Sequence, residues 1–435
     1  MFQPGTAASG KPESTSLKRV VFASFAGSTI EWYDFTVFSA SSALVFNRLF
    51  FTSFSPTVGL LLALLTYAIG YLARPLGGVI FGHFGDRLGR KPVLIITFMM
   101  MGGATIIMGL LPTFEQVGVA APIVLTILRI TQGIALGGEY GGAALLVSET
   151  CPADKRGLYS SSTLVGLAAG TMLGTIVFGL FRTMPQDEFF SWGWRMPFLL
   201  SIVLVVIGLW IRMRIDETPE FLKVEKSHKV SKLPIAEVLK HDLKRVLLVC
   251  AARSGETMQF NIVAVFGLRY VTHNLGVPPS VYLSAMSLSS FLSIFIMPLS
   301  GALSDRIGRK PVGLLAGIAS LVFGAAYLPL VTTGSTLLIS LAVILMLAIS
   351  AGIGNALPSA YFPELFKPEV RYTAVSLGYQ LGTVAGGLTP AISTLLYLHF
   401  GIDAIAAYLA VAGLLVIMAF FLLPETLPRG SRSGF

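Results

Sequence analysis

Five charged residues interrupt stretches that are otherwise apolar: Glu31, Asp34, Arg129, Arg253 and Glu256. If each stretch crosses a bilayer as a helix, a rise of about 1.5 Å per residue puts Glu31 and Asp34 roughly 17 and 21 Å along it, Arg129 about 15 Å, and Arg253 and Glu256 about 14 and 18 Å. All five then lie near the midplane, where a charge is costly and is kept only beside a partner or a cavity. Carboxylates exchange protons and guanidiniums hold anions in forked geometry, so the set has the chemistry of proton-linked anion binding. Glu31 and Asp34 are three apart and share a helix face. Arg253 and Glu256 repeat that spacing.

From their common depth, Asp34 and Arg129 are expected to form the proton-coupling pair, with Glu31 beside them. A substrate carboxylate that takes the guanidinium leaves Asp34 unpaired in a low dielectric, where it takes up a proton. Proton and substrate then bind together. Arg129 and Arg253 are the expected substrate clamp, with Glu256 restraining Arg253 while the site is empty. Tyr33, Tyr140, Asn355 and Gln380 are the neutral hydrogen-bonding candidates for its wall. Arg74 counts to about 26 Å along its span and Glu139 to about 30 Å, which reads as a structural place for Arg74.

The elements that must hold these residues are membrane helices. Of 435 residues, 54% are hydrophobic and 12% charged, against about 25% charged in a soluble domain. About 20 apolar residues cross the hydrocarbon layer, and twelve such spans can be placed. The first six are 20–46, 57–82, 92–112, 119–148, 158–181 and 193–212; the second six are 245–271, 280–303, 311–331, 335–361, 372–397 and 403–423. The expected fold class is therefore an all-α polytopic membrane protein with two six-helix bundles, 1–212 and 245–435, joined by a polar loop at 213–244. That loop carries Lys223, Lys226, Lys229, Lys232 and Lys240.

A net charge of +9 suggests nucleic acid only until its placement is read. Most of the 31 Lys and Arg residues fall in the termini and even-numbered connections; Arg48, Arg182, Arg195 and Arg269 fall on the other side. By the positive-inside rule both termini are cytoplasmic, and no nucleic-acid partner is expected. The first apolar stretch holds Glu31 and Asp34, unlike a cleavable leader. Cys151 and Cys250 lie in a loop and a span, so no disulfide is expected. The five histidines (His83, His228, His241, His273, His399) map to loops and span edges and offer no catalytic or metal constellation at one depth, which argues against a membrane enzyme. A receptor would need a signalling domain for which there is no room.

The chain repeats itself at a near-constant offset. Gly82-His-Phe-Gly-Asp86-Arg87-Leu-Gly89-Arg90-Lys91-Pro92 after span two is matched by Gly301-Ala-Leu-Ser-Asp305-Arg306-Ile-Gly308-Arg309-Lys310-Pro311 after span eight. Glu149 and Arg156 are matched by Glu364 and Arg371, the glycines 166, 170 and 174 by 378, 382 and 386, and Glu217-Thr218 by Glu425-Thr426. Two parallel repeats put the substrate site at their interface near the midplane. The acidic and basic loop residues (Asp86, Arg87, Arg90, Glu149, Arg156, Asp305, Arg306, Arg309, Glu364, Arg371) supply both signs for a latch, an Asp being favoured at a helix N-terminus. The glycine stripes read as close helix packing. Arg129 and Glu139 have no charged counterpart in span ten, so the coupling chemistry is expected mainly in the first half.

The doubled G-x-x-x-D-R-x-G-R-K run resembles the loop signature of the Major Facilitator Superfamily. Glu31-Trp-Tyr-Asp34-Phe, Arg74-Pro75-Leu-Gly77-Gly78, Gly137-Gly-Glu139-Tyr140-Gly-Gly, Ser191-Trp-Gly-Trp-Arg195-Met-Pro197 and Pro363-Glu364-Leu-Phe resemble its metabolite:proton symporter branch, on the side of the shikimate carriers. The resemblance implies the twelve-helix MFS fold, a central cavity and secondary active uptake of a small organic metabolite by alternating access. It implies a bacterial inner membrane, a functional monomer, protons, substrate and lipid as the only partners, and the proton gradient in place of a cofactor or metal. The intramembrane arginines favour a carboxylate, the branch also carrying zwitterions such as proline and betaine. The fifth span lacks the Gly-Pro pair of drug antiporters, and no heptads follow Leu423, so neither efflux nor osmosensing is expected.

Overall fold

The computed structural model describes residues 17–88, 90–213, 234–367 and 370–427. Helix α1 is Leu17–Leu44; α2 runs through Pro56–Leu72 and Arg74–Leu88; α3 is Arg90–Leu110, α4 Ala120–Thr150 and α5 Arg156–Arg182; α6 comprises Met196–Leu199 and Ser201–Met213. In the second half α7 is Leu243–Asn261 continued by a π-helical turn, Ile262–Gly267, and by Leu268–His273; α8 is Pro279–Ile307 and α9 Arg309–Val331. Helix α10 runs through Thr336–Ile344, a second π turn at Leu345–Ser350, Ala351–Gly354 and Pro358–Glu364; α11 is Arg371–Phe400 and α12 Asp403–Leu422.

Among the described residues, ten helices are long and apolar enough to span a membrane. The two others, α1 and α7, are the helices that carry the midplane charges, and those charges pull their hydropathy down. With them the spans number the expected twelve. Of the polar connection at 213–244, the described part holds a short helix, Pro234–His241; Lys223, Lys226, Lys229 and Lys232 lie outside the described residues.

The glycine stripes hold the charged helices in place. An added Cβ on Gly170 of α5 would lie 2.9 Å from Trp32 Cβ and Tyr33 N of α1. On Gly382 of α11 it would lie 2.7 Å from Arg253 Cβ and Cys250 O of α7. Each half therefore clamps its charged helix against a small-residue face, letting backbones approach where lipid offers no hydrophobic drive between helices. Gly137 of α4 does the same for α2, 2.7 Å from Gly78 N.

Candidate functional site

A narrow central cavity lies between the halves in two small lobes, each with room for about one water. The first is lined by Glu31 and Ser28 of α1, Tyr140 and Ala143 of α4, Thr163 and Leu164 of α5, and Tyr379 and Gln380 of α11. The second is lined by Tyr71 of α2, Leu167 of α5, Arg253, Glu256, Thr257 and Phe260 of α7, Asn355 of α10 and Thr383 of α11. Trp32 and Arg74 line both. The cavity thus offers one arginine from each half, Arg74 and Arg253, and one glutamate from each, Glu31 and Glu256.

Arg253 Nη1 donates to Glu256 Oε2 at 3.0 Å and to Asn355 Oδ1 at 2.9 Å. Its guanidinium lies 4.4 Å from the Tyr379 ring centre. Glu256 Oε1 is buried without a hydrogen-bond partner, which leaves an acceptor at the cavity wall. Arg74 is 4% exposed and stacks over Tyr71 at 4.3 Å and Phe35 at 5.0 Å. Its Nε has no hydrogen-bond partner, the guanidinium packs on aromatic faces, and among the described residues it is in no ion pair.

Asp34 and Arg129 do not touch. Asp34, 1% exposed, turns into the first bundle and accepts from Thr105 Oγ1 at 2.8 Å and Ser201 Oγ at 2.5 Å. Arg129 Nη1 donates to Gln132 Oε1 at 2.9 Å, and Gln132 Nε2 donates to Thr105 Oγ1 at 2.6 Å. The two charges therefore share a buried relay, Arg129, Gln132, Thr105, Asp34. Arg129 is otherwise caged by Phe38, Phe35 and Tyr67 at 4.0, 5.0 and 5.4 Å. Phe35 lies 5.0 Å from both the Arg129 and the Arg74 guanidinium, so one ring touches the relay and the cavity arginine.

The residues expected from sequence divide accordingly. Glu31, Tyr140, Arg253, Glu256, Asn355 and Gln380 line the cavity. Arg129 does not; the arginine of the first half that lines both lobes is Arg74. Tyr33 is also away from the wall, because its hydroxyl donates to Pro197 O at 2.7 Å inside the bundle. Three residues apart is not a full turn, and it suffices to send Glu31 to the cavity and Asp34 inward. Glu139, deep in α4, pairs with Arg212 of α6, and Arg212 also holds Leu94 O at 2.8 Å.

Cross-half contacts close the cavity at both ends. On one side Trp32 meets Phe260 with centroids 5.9 Å apart, and Tyr67 OH donates to Asn261 Oδ1 at 2.5 Å. On the other, Tyr140 stacks on Tyr379 at 3.5 Å and Tyr372 OH donates to Gly138 O at 3.0 Å. Beyond them the loop charges of the second repeat, the expected latch, meet the first half. Asp305 accepts from Gly157 N at 2.7 Å and Leu158 N at 2.9 Å, an anion seated on the N-terminus of α5.

Arg309, fully buried, joins Asp305 at 2.7 Å to Glu364 at 3.2 Å, and Arg156 reaches Glu364 at 3.4 Å. Arg371 lies 3.8 Å from Glu149. Glu425 accepts from the first amides of α9, Arg309 N at 3.0 Å and Lys310 N at 3.1 Å, and Thr426 Oγ1 donates to Glu364 at 2.5 Å. Arg306 points outward, exposed. The expectations for the side chains of Asp86, Arg87 and Arg90 lie outside the described residues.

Comparison with known proteins agrees with this architecture. The Sugar (and other) transporter family matches residues 20–233 and the Major Facilitator Superfamily residues 249–434. The shikimate transporter of Escherichia coli is 39% identical over 94% of this chain and 95% of its own length. The inner membrane metabolite transport protein YhjE of the same organism is 35% identical over 94% and 95%, and its proline/betaine transporter 32% over 87% and 77%. Among solved structures, the proton:xylose symporter XylE superposes with a TM-score of 0.71 at 16% identity, covering 96% of this chain and 98% of that one. The chain belongs to the Major Facilitator Superfamily and is a multi-pass membrane transporter, not an enzyme.

Proposed function

We propose that this protein is a proton-coupled symporter that takes up a small carboxylate by alternating access. In this reading it is a monomer in a bacterial inner membrane, with the latch and both termini on the cytoplasmic side, and it needs no cofactor. Residues 1–212 and 245–435 are the two moving bodies and 213–244 their connection. The observation that carries the reading is the cavity pair Arg74 and Arg253, one cation from each half, with Arg74 in no ion pair among the described residues. A substrate carboxylate shared between them draws the halves together. Arg253 must then release Glu256, or share it, and the freed glutamate takes a proton in the dry cavity.

The buried relay supplies the second part of the coupling. When Asp34 is protonated on Oδ2, that oxygen needs an acceptor where Thr105 now donates, so the Thr105 and Gln132 bonds rearrange and Arg129 shifts in its aromatic cage. Phe35 passes that shift to Arg74, and substrate affinity follows the proton. Membership beside a shikimate transporter and a proton:xylose symporter supports the class of reaction.

A zwitterion is the second reading, favoured by Glu31 and Glu256, which suit an ammonium as the arginines suit a carboxylate. Proteoliposomes with an imposed pH gradient, offered shikimate, α-ketoglutarate, citrate, benzoate and betaine, separate the two. Uptake of a carboxylate and not of betaine is expected. Uptake of betaine alone would give the second reading the site, and uptake of none by folded protein would remove the substrate class.

A further inference from the structure

The end of the molecule opposite the latch gathers positive charge that the central site does not use. Sequence placed four arginines there. One of them, Arg195, is consumed by the carbonyl oxygens of Gly109 and Leu111. The other three converge. Arg48, in the turn after α1, lies 5.1 Å from the Phe190 ring centre, and Arg182, at the end of α5, lies 5.2 Å from that of Phe189. Those rings are neighbours, 5.3 Å apart, on the short helix Gln186–Ser191.

Arg269 enters from α7 in the other half, within Coulomb range of Arg48, and its Nη1 is buried without a hydrogen-bond partner. His273, exposed at the end of α7, lies within Coulomb range of Arg269, Arg48 and Arg182 together. Among the described residues, none of the three arginines is in an ion pair.

Such a cluster is not what topology calls for, since cations are depleted on this side of a membrane protein. Nor is it a structural ion-pair network, for the partners are rings and not carboxylates. Like charges brought together from both halves repel, and a bound anion removes that cost. The arginines stand at the ends of α1, α5 and α7 away from the latch, the end at which the Trp32–Phe260 and Tyr67–Asn261 contacts close the cavity.

We propose that Arg48, Arg182 and Arg269 form an anion-recruiting site at the outer mouth, which takes a small carboxylate on its way to the central cavity. The proposal rests on the carboxylate-uptake reading above. Its chemistry also fits an anionic lipid headgroup, so the test includes an arm for that source.

The test reads the local field without requiring transport. Thr183, exposed beside Arg182, is changed to Cys in a background carrying Cys151→Ser and Cys250→Ser, and the protein is reconstituted in phosphatidylcholine vesicles. The rates of reaction with an anionic and a cationic methanethiosulfonate are compared. Paired Arg48→Gln and Arg269→Gln substitutions are expected to lower the anion-to-cation rate ratio by roughly tenfold, while the same sites changed to Lys keep it. Added benzoate or shikimate should slow the anionic reagent in the parent and not in the Gln variant.

A ratio that ignores the loss of both arginines, or no protection by carboxylates, overturns the site. Loss of carboxylate protection on adding phosphatidylglycerol would assign the cluster to lipid and overturn it equally. Shikimate uptake measured on the same vesicles keeps the two readings apart: no uptake with the rate pattern intact removes only that substrate, and normal uptake with a flat ratio removes only the recruiting site.

Discussion

Phe35 touches two guanidiniums, Arg129 of the buried relay and Arg74 of the cavity wall, each 5.0 Å from its ring centre. Replacing it with Leu keeps most of the volume and removes the π face. Substrate binding should survive, and uptake driven by a pH gradient should fall severalfold more than substrate exchange at equilibrium. Equal loss of both would make Phe35 a packing residue only. The cavity arginines give a different signature. Arg74→Gln and Arg253→Gln each forfeit a charge-assisted contact of about 1.5–3 kcal/mol, so KM for the carboxylate should rise roughly tenfold to hundredfold. Arg74→Lys should not restore it, because an ammonium lacks the planar group that stacks on Tyr71 and Phe35.

At this scale the sequence was partly legible. The charge of Arg253 and Glu256 and their spacing led to the cavity, since a charge at the midplane has few other places to go. Arg74 was read as structural from its depth, about 26 Å along its span, whereas its helix continues to Leu88 and the side chain lines both lobes. Tyr33 and Asp34 were misread because facing is decided by which neighbours, here Pro197, Thr105 and Ser201, reach back across the bundle. No signal in the local sequence carries that.

Helices meet at the latch through two glycines. A Cβ on Gly301 of α8 would lie 2.5 Å from Gly157 O and 3.3 Å from Ser161 Cβ of α5. Backbone cannot yield as a flexible side chain can, so Gly301→Ala should hold the latch ajar. Asp305→Asn attacks the same junction by removing a carboxylate that accepts from two α5 amides and from Arg309. In either variant a Cys placed at Ser161, fully buried in the closed state, should label severalfold faster from the latch side; unchanged labelling would mean that the latch does not set the balance. Gly301 and the charges of this junction were readable because they are duplicated; Gly157, with Tyr372 at the matching place in the second repeat, was not. The two π turns were not, because both lie in uninterrupted apolar runs. One of them turns Val263 O toward Tyr282, whose hydroxyl donates to it at 2.7 Å, a local repair that places a π turn in α7 next to the cavity-lining Phe260.

The whole molecule is closed above and below a cavity whose charges are nearly symmetric, with a relay that is not. Each half brings an arginine and a glutamate to the cavity, but only the first half holds Asp34, Thr105, Gln132 and Arg129 in sequence. Duplicated loops made the two-fold architecture legible, and the unmatched Arg129 pointed to the specialised half. What composition could not show is that Asp34 and Arg129 join through Gln132 and Thr105 while Arg74 takes the cavity wall. The central claim is that Asp34 carries the coupling proton and does not bind substrate. Asp34→Asn, assayed with a transported carboxylate in proteoliposomes, tests it most directly. Equilibrium counterflow should persist near the parent rate while accumulation driven by an imposed pH gradient disappears; loss of counterflow as complete as the loss of driven uptake would contradict the account.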